Sequence, residues 1–264
     1  MHIRQLTDKN QILNFLETDR LYAAYAIGDL EAALFAQSEW WGAEKDGSLC
    51  AITLVFKGLE PPALFLMGEP GGMEAILRLP QRHPERVFVT CRQQHLETAR
   101  AFYRGSGPPA PMWRMVIQRD DFVPAVLPHP SPRIEALRPQ AAGALEQLFA
   151  QDDGADAFSP AQLTTGVFYG IHDGGRLVAA AGTHLVSPTY RMGAVGNVYT
   201  HRAYRGQGYG ASTISAVVAE LFRRGIHHVF LNVGQANAQA IRVYERLGFT
   251  RYCPFVEMIA TRRL

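Results

Sequence analysis

The sequence predicts an α+β fold of the three-layer α/β kind: two similar domains in tandem, each a mixed, mostly antiparallel sheet with flanking helices. Three observations predict it. Strand-period and helix-period segments alternate along the 264 residues around two hairpin signals, Asp46-Gly47 and Asp173-Gly174-Gly175. The element order of the first half recurs in the second, although the residues themselves are not alike. Between the halves lies "DDFVPAVLPHPSPRIEAL", whose Pro124, Pro128, Pro130 and Pro132 resist both helix and central strand because proline lacks an N–H. The expected domains are 1–121 and 133–264, joined by an extended linker at 122–132.

In the first half, "HIRQL" reads as an opening strand and "DKNQILNFLETD" as a helix. "RLYAAYAIGDLEAALF" reads as a second helix, its Tyr22 and Tyr25 as core or as the border of a pocket. "EWWGAEKDGSLCAITLVFKG" is a hairpin turning at Asp46-Gly47, with Trp40 and Trp41 as packing residues. "ALFLMGEPGGMEAILRLP" is strand, Gly-rich turn and helix; "RVFVTC" is a strand, "HLETARAFY" a helix and "MWRMVIQ" a strand.

In the second half, "RIEAL" is a short strand and "PQAAGALEQLFAQ" a helix opened by Pro139. "GVFYGIHDGGRLVAAAGTHLV" is a hairpin. "YRMGAVGNVYTH" is a third strand whose Gly193 and Gly196 suggest a bulge. Residues 208–224 form a helix, because Ile214, Val217, Val218, Leu221 and Phe222 make one apolar stripe. "HHVFLNV" is a buried strand. "NAQAIRVYERLG" is a helix with Asn237 as N-cap and Gly248 as stop, and "FTRYCPFVEMIATRRL" supplies one or two closing strands.

With 47% hydrophobic and 19% charged residues, the chain has ample material for a globular core. A net charge of +2 argues against a dedicated nucleic-acid binder. Residues 126–264 carry 13 basic side chains, all Arg, against 9 acidic ones, a local charge of +4. Arg suits bidentate contact with phosphate, although a compositional bias gives the same count. Three Cys, at 50, 91 and 253, form no CxxC pair, which argues against a disulfide framework and a zinc site and for small buried hydrophobes in a reducing cytosol. The N-terminus is polar, unlike a signal peptide, and no apolar run approaches the ~18 residues of a membrane span. The expectation is a cytoplasmic protein with no membrane, no nucleic-acid partner and no metal.

The chemistry concentrates after the third strand. Arg205-Gly206-Gln207-Gly208-Tyr209-Gly210 lies between a strand and a helix, so the first helical turn can offer free N–H groups to an anion. Arg205 can add charge-assisted hydrogen bonds. The spacing is R-x-x-G-x-G, neither a Walker A loop nor G-x-G-x-x-G.

The stretch "NVYTHRAYRGQGYG" resembles the pyrophosphate-binding motif Q/R-x-x-G-x-G/A of the GNAT superfamily of acyl-CoA-dependent N-acyltransferases. "LNVGQANAQAIRVYERLGF" resembles its second motif, N-x-x-A-x-x-x-Y-x-x-x-G-F, carried by Asn237, Ala240, Tyr244, Gly248 and Phe249. The closing segment is similar to the FR47-like and glycine N-acyltransferase branch, in which a degenerate N-terminal GNAT-like domain precedes the catalytic one.

The resemblance implies a splayed-strand cofactor cleft for acetyl-CoA or another acyl-CoA, with no metal. It implies that Arg205, Gly206, Gln207, Gly208, Tyr209 and Gly210, with Ala211 and Ser212 just beyond, cradle the pyrophosphate. Val198, Tyr199 and Thr200 belong to the strand that the pantetheine arm pairs with, and Asn232 and Asn237 to the opposite wall. A bulge would aim an N–H at the thioester carbonyl. His201 and Arg202 fall at the rim.

Tyr244 is the implied acid for the leaving thiolate, although its spacing also suits a core aromatic. The strand before the loop carries no carboxylate, so the base is left open among His184, Glu257 and water. "GEPGGMEAI" in the first half lacks the motif and brings Glu69 and Glu74 to a helix start, so no CoA site is expected there. The expected activity is transfer of an acyl group, acetyl first, to a primary amine of a small molecule or amino acid, by a monomer or homodimer. The alternative is a catalytically silent CoA-thioester sensor or scaffold.

Overall fold

The computed structural model describes residues 1–79, 83–125, 127, 132–151 and 158–263. Residues 126 and 128–131 of the expected linker lie outside these. The chain forms two compact units. The first takes Met1–Arg114, Gly234–Ala236 and the C-terminal segment from Tyr252; the second takes Met115–Val233 and Asn237–Arg251. The units therefore differ from the expected 1–121 and 133–264 domains at the last strand of each half. Strand partnership across a sheet edge is long-range, and composition along the chain does not encode it.

In the first unit, β1 (His2–Gln5) and α1 (Lys9–Leu16) open the chain. Asp8 caps α1 by accepting from the Asn10 and Gln11 N–H groups. The expected single helix over 20–35 is instead two short ones, α2 (Ala24–Gly28) and α3 (Ala32–Phe35). The break follows Gly28, where the Asp29 and Leu30 amides turn back onto Tyr25 and Ile27 and bury Leu30. Burial of Tyr22, Trp40 and Trp41 bears out their packing role.

β2 (Ser38–Lys45) and β3 (Ser48–Phe56) form the hairpin over Asp46-Gly47, both with positive φ. β4 (Ala63–Gly68), α4 (Pro70–Leu77), β5 (Arg86–Cys91), α5 (Leu96–Phe102) and a short β6 (Tyr103–Gly105) follow. β7 (Ala110–Gln118) divides between the units at Arg114.

The second unit contains β8 (Ile134–Ala136), α6 (Ala142–Phe149), α7 (Gln162–Thr165), β9 (Tyr169–Asp173), β10 (Arg176–Ser187) and β11 (Met192–Thr200). It continues with α8 (Tyr209–Arg223), β12 (His228–Gly234) and α9 (Ala238–Arg246). A single long strand, β13 (Thr250–Arg262), ends the chain and pairs with β5.

The sheet order is β1-β2-β3-β4-β5-β13 in the first unit and β12-β11-β10-β9-β8 in the second. Both sequences are antiparallel except for one parallel pair each, β4–β5 and β11–β12. The two parallel pairs differ in a way that matters. β4 pairs with β5 from Ala63 as far as Leu66, two residues short of its end. β11 pairs with β12 only at Met192, Gly193 and Ala194, six residues before its end.

One face of the second sheet is covered by α8, whose stripe Ile214, Val217, Val218, Leu221 and Phe222 is buried as expected. Leu221 also fills the space above Gly193. Leu221→Ala should therefore destabilise the protein by about 2–5 kcal/mol, read from the midpoint of urea unfolding. A loss under about 1 kcal/mol would contradict the packing described.

Candidate active site

The site follows from the early parting of β11 and β12. Between Val195 and Thr200, β11 keeps its β10 partner on one edge, through Tyr199 to Ala180 and Thr200 to Ala179. Its other edge faces the gap that opens beyond Ala194 and Phe230. An extended amide chain can add to such an edge as a strand would. Val198 and Thr200 are half-buried there and Tyr199 is buried.

The bulge expected near Gly193 or Gly196 lies one residue further on. The register between β10 and β11 shifts between Gly182/Gly196 and Ala180/Tyr199. Asn197 takes up the extra length in the left-handed region, φ 49°. Gly193 and Gly196 keep regular partners, and each instead makes room for a side chain. Leu221 lies over Gly193 and the His184 ring lies over Gly196. A second shift, between Thr183 and Leu185, places His184 itself at a bulge.

The loop after β11 ends in a run of open amides that could hold an anion. Gly208 caps α8 with φ +80° and supplies no side-chain cap, and Gly206 has the same φ. Side chains at these two positions would be strained. The first helical bond into α8 is Ser212 N–H to the Gly208 carbonyl, and Arg205 N–H is spent on the Arg202 carbonyl. The six amides from Gly206 to Ala211 carry no hydrogen bond among the described residues. Thus Gly206, Gln207, Gly208, Tyr209, Gly210 and Ala211 fit a pyrophosphate through their main chain. The Arg205 and Ser212 amides do not, because the fold already uses them. The Ser212 hydroxyl is buried and has no partner among the described residues.

The exposed Arg205 side chain folds back onto the end of β11. Its Nε donates to the Thr200 carbonyl at 3.1 Å and the group stacks over Tyr199 at 5.7 Å. Tyr204 stacks on Tyr209 and donates to Asp173 at 2.8 Å, which braces the loop.

The opposite wall comes from β12 and α9. Asn232 is half-buried on β12. Asn237 caps α9 as expected, its Oδ1 accepting from Ala240 N–H at 3.0 Å, which leaves its amide nitrogen available to a ligand. Tyr244 on α9 is buried and packs edge-on to Phe249 at 5.9 Å. Its hydroxyl makes no hydrogen bond among the described residues. Burial pushes its pKa up to about 12, so the phenol stays protonated through neutral pH.

The first unit has no counterpart to this cradle among its described residues. At the start of α4, Pro70 has no N–H, the Glu69 amide donates to Cys50, and the Gly72 and Met73 amides turn back on Glu69. Cys91 and Cys253 are buried and Cys50 half-buried; all three are free thiols. Among the described residues no group of three or more His, Cys, Asp or Glu could hold a metal ion. No described helix is long and apolar enough to cross a membrane.

A model of the acetyltransferase (GNAT) family matches residues 134–249. The mycothiol acetyltransferase of Thermobispora bispora is 43% identical over 63 residues, 23% of this chain and 21% of that protein. The matched region thus spans about a fifth of that relative's length. A GCN5-related N-acetyltransferase from Sphaerobacter thermophilus superposes with a TM-score of 0.65 at 18% identity, covering 99% of this chain and 95% of that one. A tandem GNAT protein from the clavulanic acid biosynthesis pathway gives 0.61 at 16%, covering 99% and 98%. At those identities the two structures establish the fold, a mixed, mostly antiparallel open sheet with flanking helices.

Proposed function

We propose that this chain, whose residues 134–249 match the model of the acetyltransferase (GNAT) family, transfers an acetyl group from acetyl-CoA to a primary amine of a small molecule by direct attack. The observation that carries this reading is the conjunction of six open amides at the start of α8 with an unpaired β11 edge leading to them. The first suits a pyrophosphate and the second suits the amide-bearing pantetheine arm.

The residues divide the work as follows. Gly206 to Ala211 hold the pyrophosphate by main-chain N–H groups. Val198 and Thr200 on one wall, with Asn232 and Asn237 on the other, align the pantetheine. The main chain at the Asn197 bulge offers an N–H to the thioester carbonyl, where negative charge grows during attack. Tyr244 donates a hydrogen bond to the departing sulfur. The first unit contributes no CoA site in this reading, since α4 begins with proline and with its amides engaged.

The catalytically silent sensor has one specific observation in its favour: β11 carries no carboxylate that could serve as base. A thiol-release assay with acetyl-CoA against a panel of primary amines and amino acids separates the two. Turnover above acetyl-CoA hydrolysis, with the N-acetyl product identified by mass spectrometry, supports the enzyme. Tight acetyl-CoA binding with no turnover on any amine would support the sensor.

A further inference from the structure

The acyl-transfer reading leaves one role unfilled, the group that takes the proton from the attacking amine. His184 has the position for it. It sits at the bulge of β10, beside the β11 segment that follows the parting of the strands. Its ring lies so close over Gly196 that an added Cβ there would fall 2.3 Å from Cε1 and Nε2. Gly196 immediately precedes Asn197, whose left-handed backbone forms the β11 bulge. The imidazole therefore lies against the same turn of main chain that the acyl-transfer reading aims at the thioester.

The face of the sheet also fits. On β11, Gly193 points at Leu221 and Ile226, the face covered by α8 and the loop after it. His184 stands with Phe168, which fills the space over Gly182, the ladder partner of Gly196. Asn197 reaches from there to α7, donating from Nδ2 to the Gln162 side-chain carbonyl at 3.0 Å. Gln162 also accepts from Ser159 N–H at 3.1 Å. His184 thus has a floor in Gly196 and a fixed neighbour in Asn197, while part of its surface stays open to solvent. That open side is where an acceptor amine can arrive.

We propose that His184 is the general base of the acyl transfer, its ring held over Gly196 and beside Asn197 at the β11 bulge. The proposal rests on the acyl-transfer reading above. The amine nitrogen forms a bond to the thioester carbonyl carbon and one N–H proton passes to the imidazole. The C–S bond breaks with its electron pair on sulfur. The thiolate takes up a proton and the imidazolium releases one, so amine and thioester become amide and free thiol with no further reactant. Desolvation in the sheet lowers the His184 pKa below its usual value, against a smaller opposing effect from the Asn197 side chain. The sign is favourable: the imidazole is neutral at pH 7 and loses its base form only as pH falls through that lowered value.

The test uses the full chain, acetyl-CoA and the best amine from the panel. His184→Ala should lower kcat by about 100-fold or more, leave the acetyl-CoA Kd unchanged, and recover activity when free imidazole is added. His184→Gln, which keeps the bulk over Gly196, should be as slow and should lose the acidic limb of the kcat–pH profile. Gly196→Ala, which displaces the ring, should lose kcat with little change in KM. If His184→Ala and His184→Gln keep wild-type kcat and its acidic limb, the base assignment falls while the acyl-transfer reading stands. If the wild-type protein turns over no amine, both fall together.

Discussion

Gly208→Asp should abolish acetyl-CoA binding while the protein stays folded. Both halves of this expectation follow from the residue's position. Gly208 is the N-cap of α8 and has φ +80°. Aspartate is among the residues that best tolerate the left-handed region and among the most favoured at an N-cap, so its strain and its capping roughly offset. Unfolding by urea should shift by no more than about 1 kcal/mol. Binding is another matter. The new carboxylate would accept from the amides between Gly208 and Ala211 that are open in the fold. It would also place a negative charge beside the pyrophosphate, where repulsion between near-surface charges amounts to about 4 kcal/mol at contact distance. The Kd for acetyl-CoA should rise by at least about 100-fold. Gly210→Asp is the parallel case, within the first turn of α8 and close to the Thr200 hydroxyl. If calorimetry finds wild-type affinity in both folded variants, the cradle is not where the ligand binds.

Tyr244→Phe should slow turnover by about 10- to 100-fold without weakening acetyl-CoA binding. The magnitude comes from the burial of the phenol. With its pKa pushed up to about 12, Tyr244 is a weaker acid than a free tyrosine. A thiol has a pKa of about 8.5, so full proton transfer to the leaving thiolate would run uphill by several kcal/mol. A hydrogen bond to the developing negative charge costs no such transfer and contributes about 1.5–3 kcal/mol. The hydroxyl has no partner among the described residues, so its loss should leave the unfolding midpoint in place. Unchanged kcat in the folded variant would return Tyr244 to a packing role, which its buried contact with Phe249 also allows.

Much of the fold was legible because it rests on local chemistry. Asp46-Gly47 and Gly174-Gly175 adopt the positive φ values that two-residue hairpin turns need. Asn237 caps the helix that its position announced. The open amides at the start of α8 were legible for the same reason, since glycine spacing before a helix is local. What escaped was decided by register. Nothing in "MGAVGNVYT" says that Asn197, rather than Gly193 or Gly196, absorbs the extra residue, because that depends on pairing with β10. Nor does the sequence reveal that the glycine at 196 makes room for a histidine twelve residues upstream. The segment over 20–35 reads as one helix, yet breaks so that Leu30 can be buried. The fate of β13, which joins the unit of the first half, is likewise a matter of which sheet edge is open.

The central claim is that this chain holds acyl-CoA in one cradle, in its second unit. Isothermal titration of acetyl-CoA into the wild-type protein, repeated with Gly208→Asp, tests it most directly. One molecule bound per chain in the wild type, and none in the variant, is the result predicted. Two molecules per chain, or one that survives the substitution, would contradict it.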